Sequence, residues 1–272
     1  MSKLTAMPDQ LRPVKSFIAA ILVFETLALF VRSYLQVKLR DAGLQADDAR
    51  YLSYLIVPVI LGVALSPILR HNRVHVRRLF CVERLSLRLV VTAVTIGLLA
   101  RIAWWSQLLA RISFGITRNT DSSAVTGPEF RIACPGFESL MLGILVMSIL
   151  VPIIEEIINR GLIQASLMRH GRARAIIVSA FLFGVFHPVA GFPFAFIFGI
   201  VFGIQFASSR TLWASMITHA SYNALVQFDW RCLRGMWNPG FDDLPVLDVG
   251  FSAMAALLLA VLAIAVLIKG KC

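Results

Sequence analysis

Eight apolar stretches recur along the chain of 272 residues, each bounded by charged or polar side chains. An α-helix rises about 1.5 Å per residue, so roughly 20 apolar residues cross the hydrocarbon core of a bilayer, which is about 30 Å thick. The stretches approach that length and predict spans at 14–31, 51–69, 85–105, 139–164, 175–191, 193–208, 211–228 and 249–268. We therefore expect an all-α fold, a polytopic transmembrane bundle of about eight helices.

Composition argues against a soluble domain and against a nucleic-acid-binding protein. The chain is 58% hydrophobic and only 15% charged, whereas soluble domains are about 45–50% apolar and about 25% charged. A net charge of +11 is compatible with binding to nucleic acid, but the basic residues lie in short loops between apolar stretches rather than in one stripe or tail. We expect contact with membrane lipid and none with nucleic acid.

The distribution of Lys and Arg predicts how the spans are oriented. With the N-terminus inside, the cytoplasmic side receives the Arg-rich segments 70–88 and 169–174 together with both chain termini, as the positive-inside rule requires. We therefore expect both termini in the cytoplasm. The same alternation places Cys134 and Cys232 on the outer side, where they form a disulfide or stay as two free thiols.

A few side chains inside the predicted spans do not belong in lipid. A charged group there costs about 2.5–3.5 kcal/mol, and such groups normally face the interior of the bundle or a wet cavity, where they find partners. They are Glu25, Glu155, Glu156, Arg160, His187, His219 and Asn223. All except Glu25 fall in the fourth, fifth and seventh spans, which predicts one site between those three helices. Glu25 by itself is interpreted as a helix-contact residue.

The fourth span carries two adjacent carboxylates and a cation. Glu156 and Arg160 are four residues apart, so an ion pair between them can hold Glu156 ionised. Glu155 lies about 100° around the helix from Glu156 and can face another partner. One carboxylate is then structural and the other is free to accept a proton. This motif alone is also compatible with a Glu–Arg clamp that ties helices together.

The fifth and seventh spans contribute two histidines and an asparagine. His187 lies near the end of the fifth span, just before Pro188, and a single histidine there is commonly a hydrogen-bonded core residue. His219 and Asn223 are four residues apart and share one face of the seventh span. A His–Asn pair suits the stabilisation of a developing oxyanion, and the alternative is a hydrogen-bonded contact between helices.

Together these groups favour amide hydrolysis without a covalent intermediate. A carboxylate beside a histidine can orient and deprotonate water, while a second His–Asn pair polarises the carbonyl under attack. A serine route has less support because the chain has no GxSxG elbow. A zinc ion held by Glu155, His187 and His219 is the alternative cofactor, but the HExxH pattern is absent. We expect no cofactor.

Three ordered motifs resemble those of the CAAX-protease and bacteriocin-processing family, which includes the type II CAAX prenyl endopeptidases. The motifs are Glu155-Glu156-x-x-x-Arg160, Phe183-x-x-x-His187 and His219-x-x-x-Asn223. The resemblance covers roughly residues 140–228. It implies a bundle of about eight helices with a cavity that opens into the membrane, and a multi-pass protein of the bacterial inner membrane.

The resemblance also implies a role for each motif. Glu155 and His187 would activate the water, His219 and Asn223 would form the oxyanion site, and the Glu–Arg ion pair of the first motif would support them. The expected activity is that of an intramembrane peptidase, glutamic rather than metal-dependent. Its substrate would be a membrane-anchored protein or a lipidated peptide.

The expected organisation is a catalytic core between two regions without a recognised signature. Residues 1–138 hold N-terminal membrane helices and an outer loop, 139–228 the catalytic membrane core, and 229–272 an outer loop and the final helix. Two other functions stay open: a non-catalytic immunity or scaffold protein of the same fold, and a proton-coupled transporter, since intramembrane Glu and His also form proton relays. A transporter predicts inverted repeats, and the first half has no counterpart of the Glu-Glu motif.

Overall fold

The computed structural model describes residues 14–71, 77–113, 136–187 and 191–227. Within these ranges the chain forms helices and short connections, with no β-strand. The helices are α1 (Val14–Asp41), α2 (Ala46–Tyr54), α3 (Ile56–His71), α4 (Leu87–Ser113), α5 (Phe137–His170), α6 (Arg172–Val185), α7 (Phe192–Ser209) and α8 (Trp213–Gln227). The predicted all-α bundle is confirmed.

Seven of the eight predicted spans coincide with these helices. The eighth, at 249–268, lies outside the described residues, as do Cys134 and Cys232. Among the described residues, four helical stretches are long and apolar enough to cross a membrane: Ile18–Asp41, Ala46–Arg70, Phe137–His170 and Phe192–Ser209. A fifth is added if Arg77–Arg84 and Leu87–Ala103, which meet at 112°, form one bent span. The bundle thus combines full-length spans with the shorter helices α6 and α8.

The largest extensions beyond the predicted spans are at the C-terminal ends of α1 and α4. α1 ends at Asp41 instead of residue 31, and α4 ends at Ser113 instead of residue 105. Polar residues continue α1 because neither Gly nor Pro interrupts them before Gly43. There Gly43 adopts a positive φ of 91°, and the N–H groups of residues 42–44 bond back to carbonyls of residues 38–40. Such a left-handed glycine is a common helix stop.

α5 is the central helix of the described bundle. On one side α1 and α3 pack against it through a cluster of aliphatic side chains that are almost fully buried, including Ile21, Leu61, Leu65 and Ile158. On its other sides α6, α7 and α8 contact it. The second half of the fourth predicted span is therefore enclosed by helices, whereas Met141, Leu145 and Ile149 in its first half are exposed.

Small residues bring the helices next to α5 unusually close to one another. A Cβ atom on Gly199 of α7 would lie 2.8 Å from the Cα atom of Ala180 on α6, and one on Gly97 of α4 would lie 2.8 Å from the Cβ atom of Ser221 on α8. Transmembrane helices rely on such close contacts because lipid tails are as apolar as the side chains, so the hydrophobic effect does not drive the helices together. These contacts fix α6, which His187 follows, and α8, which carries His219.

α5 is not a uniform α-helix. Two of its segments, Ile144–Leu150 and Ile157–Gln164, are π-helical, with hydrogen bonds from residue i to i+5 instead of i+4. Single π-helical turns occur often at functional sites. The Glu-Glu motif lies in the α-helical stretch between the two, Val151–Glu156.

Candidate active site

The three sequence motifs come from three neighbouring elements of the bundle. Glu155, Glu156 and Arg160 lie on α5, His187 follows the end of α6, and His219 and Asn223 lie on α8. The close packing of α6, α7 and α8 around α5 brings these elements together. The polar groups of this region therefore have partners on other helices.

The ion pair predicted between Glu156 and Arg160 is present. The Glu156 Oε2 and Arg160 Nε atoms are 3.3 Å apart, and both side chains are fully buried. Arg160 also donates a hydrogen bond from Nη2 to the carbonyl oxygen of Gly199 at 3.1 Å, and its guanidinium lies 4.8 and 5.2 Å from the ring centroids of Phe183 and Phe202. A carboxylate, a carbonyl and two aromatic faces thus compensate the buried cation.

His219 lies between the two glutamates. Its Nδ1 atom is 3.2 Å from Glu156 Oε1, and its Nε2 atom is 3.7 Å from Glu155 Oε2. The Glu155 side chain is 25% exposed, whereas that of Glu156 is fully buried. Of the two carboxylates, Glu155 is therefore the one with surface that another molecule can contact.

Two aromatic rings set the orientation of His219. Its ring stacks on Phe202 with a centroid separation of 5.0 Å and an interplanar angle of 23°. Phe183 meets it edge-on at 5.7 Å. With one ring nitrogen bonded to Glu156 as well, the imidazole is held in one orientation, so its Nε2 atom points towards Glu155.

His187 is held by the residue that opens its own motif. Its Nδ1 atom donates a hydrogen bond to the carbonyl oxygen of Phe183 at 2.9 Å, since a carbonyl can only accept. In the neutral ring this leaves Nε2 as the acceptor. The His187 ring lies 4.7 Å from that of Phe183, which also contacts His219. The two histidines therefore lie against the same phenyl ring.

Asn223 ties α8 to α5. Its Nδ2 atom donates a hydrogen bond to the carbonyl oxygen of Met147 at 2.8 Å. In the π-helical register that carbonyl would pair with the N–H of residue 152, as the carbonyl of Val146 does with Val151. Residue 152 is a proline and has no N–H. Asn223 supplies the missing donor and keeps one amide hydrogen for another acceptor.

No group of three or more His, Cys, Asp or Glu side chains in the described ranges is arranged to hold a metal ion. The residues that the sequence suggests for zinc, Glu155, His187 and His219, thus form no such group. The Nδ1 atoms of both histidines are engaged with protein acceptors.

Sequence reasoning missed a buried hydroxyl at this site. Ser215, one helical turn before His219, is fully buried, and its side chain lies near the carboxylate of Glu156. Its Oγ atom is also 3.3 Å from the carbonyl oxygen of Leu212. The available signal was the spacing of four residues between Ser215 and His219, which puts both side chains on one face of α8. The structure makes Ser215 a buried neighbour of the Glu156 carboxylate.

A second feature that was missed is a pair of bonds between α5 and α7. Gln164, one turn after Arg160, donates from Nε2 to the carbonyl oxygen of Gly203 at 2.8 Å, as Arg160 does to Gly199. The available signal was a shared spacing of four residues, in Arg160-x-x-x-Gln164 on α5 and in Gly199-x-x-x-Gly203 on α7. Glycine at both positions leaves the carbonyls within reach of long side chains.

Glu25 also belongs to this neighbourhood. It packs within helix contacts, as its interpretation from sequence requires, and it is 7% exposed. Its carboxyl group also interacts electrostatically with that of Glu155. Nothing in the local sequence around Glu25 indicates this proximity, because it depends on how α1 packs against α5.

Comparison with known proteins identifies the segment that carries the site. Residues 137–225 match the family model described as type II CAAX prenyl endopeptidase Rce1-like. No curated protein and no solved structure matches the chain. The matched segment runs from α5 to α8 and contains all three motifs. Residues 137–225 are thus similar to the Rce1-like family of type II CAAX prenyl endopeptidases, and they belong to a multi-pass helical membrane protein.

Proposed function

We propose that this protein is an intramembrane endopeptidase that hydrolyses a peptide bond of a membrane-anchored substrate, with water activated by Glu155 and His187. The observation that carries the proposal is that the two glutamates differ in burial and in their partners. Glu156 is buried and paired with Arg160, while Glu155 is partly exposed beside His219. A carboxylate that water can reach, next to a fixed imidazole, is the arrangement that a general base needs.

The reaction divides the side chains into two pairs. Glu155, oriented together with the free Nε2 atom of His187, accepts a proton from water as the oxygen attacks the carbonyl carbon of the substrate. Asn223 donates a hydrogen bond to the oxyanion that develops, and His219 donates a second one from Nε2. Because Nδ1 of His219 already donates to Glu156, this second bond requires that both ring nitrogens carry hydrogen. The proton then passes from Glu155 to the nitrogen of the leaving amine as the C–N bond breaks. The Glu156–Arg160 pair holds His219 in place from its other side.

We propose that the reaction needs no metal ion. Support comes from the arrangement of side chains in the described ranges, where no group of three or more His, Cys, Asp or Glu residues could hold a metal ion. Activity of the purified protein in a chelator, with elemental analysis of the same sample, tests this. We expect full activity without bound metal. Activity that is lost in chelator and restored by zinc would make the protein a metallopeptidase.

We further propose an inner-membrane protein of bacterial type with cytoplasmic termini. Arg84 donates from Nη1 to the carbonyl oxygen of Arg210 at 2.7 Å, and Arg172 from Nη2 to Ser208 Oγ at 2.9 Å. The Arg-rich connections therefore meet at one end of the bundle, which supports placing that end in the cytoplasm. Accessibility of single cysteines to a membrane-impermeant thiol reagent in intact cells measures this orientation.

The proposed substrate is a protein anchored in the same membrane or a lipidated peptide. Support comes from the matched family, whose description names prenyl endopeptidases of the CAAX type, and from the apolar helices that surround the site. In a CAAX sequence the prenylated cysteine is followed by three residues at the C-terminus. A site within the bilayer suits a scissile bond that a lipid anchor keeps close to the membrane.

Cleavage of a fluorogenic farnesylated peptide with a CAAX end, in phosphatidylethanolamine/phosphatidylglycerol vesicles, tests the proposed function. We expect release of the three-residue product by the wild-type protein and none by Glu155→Ala. The same variant should insert and melt like the wild type, because Glu155 is partly exposed and Arg160 is paired with Glu156. Equal cleavage by Glu155→Ala and the wild type would overturn the assignment of the general base. No cleavage by the wild type would overturn the prenyl-substrate proposal.

A further inference from the structure

One end of the bundle carries many exposed arginines and almost no acidic side chains. The arginines lie in three segments, 77–88, 169–174 and 208–210, which side-chain hydrogen bonds join to one another. Among the described residues of these segments Glu83 is the one acidic side chain, and none of the ion pairs in the described ranges involves an arginine of the three segments. The described part of the protein thus leaves these cations without counter-charges.

Two of the guanidinium groups are anchored at the last turn of α7. Arg84 donates from Nη1 to the carbonyl oxygen of Arg210 at 2.7 Å. Arg172 donates from Nη2 to Ser208 Oγ at 2.9 Å. Since a guanidinium has five N–H donors, each of these bonds leaves donors on both groups for an acceptor from outside the protein. Two exposed cations from different connections are therefore held at positions only two residues apart.

The segment that carries Arg84 cannot move freely away from α7. The carbonyl oxygen of Leu79 accepts hydrogen bonds from Leu212 N at 3.0 Å and from Thr211 Oγ1 at 2.9 Å. The Phe80 ring meets that of Trp213 edge-on, with the centroids 5.7 Å apart. These contacts attach the segment to the connection between α7 and α8, so the fold itself sets the position of the Arg84 charge.

Arg210 contributes a third cation at a position that normally favours glycine. It ends α7 with a φ of 57° and a ψ of 26°, in the left-handed region. Among the described residues it is the one non-glycine residue with a positive φ. Glycine is the usual residue at such a helix end, because a side chain there raises the energy of the backbone. An exposed arginine in its place indicates that the charge itself has a use.

Membrane orientation alone does not require this arrangement. The positive-inside rule counts cations on one side of the membrane and makes no demand on their position relative to one another. A cluster of guanidinium groups with free donors matches the geometry of a phosphate, which accepts paired hydrogen bonds. Three apolar helical stretches end at Arg70, His170 and Ser209, so the arginines lie at the border between the apolar spans and the polar surface, where lipid phosphates are found.

We propose that Arg84, Arg172 and Arg210 form a binding site for the phosphate group of an anionic membrane phospholipid, at the C-terminal end of α7. The site is separate from the residues of the proposed peptidase reaction and does not depend on that function. A lipid fits better than a free phosphate ion because the adjoining helix α6 exposes Ile177. Such apolar surface can be covered by acyl chains, which a phosphate ion does not have.

The test variants remove charge while retaining the local structure. Arg84→Gln and Arg172→Gln keep a hydrogen-bond donor, and Arg210→Gly replaces the left-handed arginine by the residue that this conformation favours. Two matched controls each remove one exposed arginine elsewhere. Arg88→Gln lies at the same end of the bundle, and Arg40→Gln lies near the end of α1.

Titration of the purified protein with phosphatidylglycerol, followed by native mass spectrometry, measures the dissociation constant of the first bound lipid. We expect each single variant of the site to weaken this binding about fivefold and the triple variant about a hundredfold. The two controls should stay within about twofold, and phosphatidylcholine should bind weakly to all variants. Equal weakening by Arg88→Gln and Arg210→Gly would show a diffuse charge effect and overturn the site. Inorganic phosphate that binds as tightly as phosphatidylglycerol would overturn the assignment to lipid.

Thermal melting in detergent separates lipid binding from folding. Without anionic lipid, the triple variant should melt within a few degrees of the wild type, because the donors to Ser208 and to the carbonyl of residue 210 are retained. Added phosphatidylglycerol should raise the melting temperature of the wild type and of both controls, and leave that of the triple variant nearly unchanged. A triple variant that melts much lower without lipid, or that gains as much from phosphatidylglycerol as the wild type, would overturn the inference.

Discussion

The two sides of α5 are built from different kinds of contact. Towards α1 and α3 it presents aliphatic side chains such as Ile158, which pack against Leu61 and Leu65. Towards α7 it presents Arg160 and Gln164, which bond to backbone carbonyls. In a bilayer, helices associate through close packing and through hydrogen bonds between them. The polar side therefore adds directional bonds near the site, and the apolar side adds packing.

Removing Arg160 should cause the largest disruption of the polar side. Arg160→Ala leaves Glu156 buried without its cation and breaks the bond to Gly199, and breaking one half of a buried pair costs about 3–5 kcal/mol. We expect a large drop in melting temperature in detergent and loss of peptidase activity. The double variant Glu156→Gln/Arg160→Met should recover much of the stability and none of the activity. Equal melting of Arg160→Ala and the wild type would show that the ion pair does not hold the helices.

Glycine positions offer a sharper comparison between the two sides. A methyl group at Gly199 would clash with α6, because its carbon would lie 2.8 Å from the Cα atom of Ala180. A methyl group at Gly62 of α3 would have no neighbouring atom within 4 Å. We expect Gly199→Ala to destabilise the protein by about 1–3 kcal/mol and to reduce activity, and Gly62→Ala to leave both unchanged. Paired melting curves and peptide assays of the two variants measure the difference. Equal effects would mean that α7 can shift away from α6 without affecting the site.

The smallest expected effect concerns a single hydrogen bond on the polar side. Gln164→Leu retains most of the side-chain volume and removes the donor to Gly203, so we expect a loss of about 0.6–2 kcal/mol, the range found for polar contacts between membrane helices. The matched change on the apolar side, Leu65→Met, should cost less than about 1.5 kcal/mol. Chemical denaturation in mixed micelles can rank the two. A larger loss for Leu65→Met would reverse the proposed division between the sides.

Much of the fold is visible in the sequence because the bilayer restricts what the chain can do. Apolar length gives the helices, and the scarcity of polar residues inside them leaves few candidates for a site. The partnership of Glu156 with Arg160 follows from helical spacing alone. The helix ends at Asp41 and Ser113 could not be predicted from apolar length, because polar residues extend a helix beyond the membrane wherever no glycine or proline stops it.

Contacts between helices were harder to predict than contacts within one. Sequence spacing gave no means of deciding which histidine lies nearest Glu155, and the structure places His219 there while His187 bonds to Phe183. The proximity of Glu25 to Glu155 also depends on the packing of α1. The rotation and depth of one helix against another are tertiary properties, and a periodic pattern specifies only which face is buried.

Proline at position 152 has a consequence beyond the shape of its own helix. Because it has no amide hydrogen, it cannot donate to the carbonyl oxygen of Met147, which accepts a hydrogen bond from Asn223 of α8. This hydrogen bond ties α8 to α5 at the level of Met147. Any other residue at 152 would have an N–H that competes with Asn223 for the carbonyl oxygen of Met147. The absence of an amide hydrogen at Pro152 of α5 therefore favours the contact that positions α8.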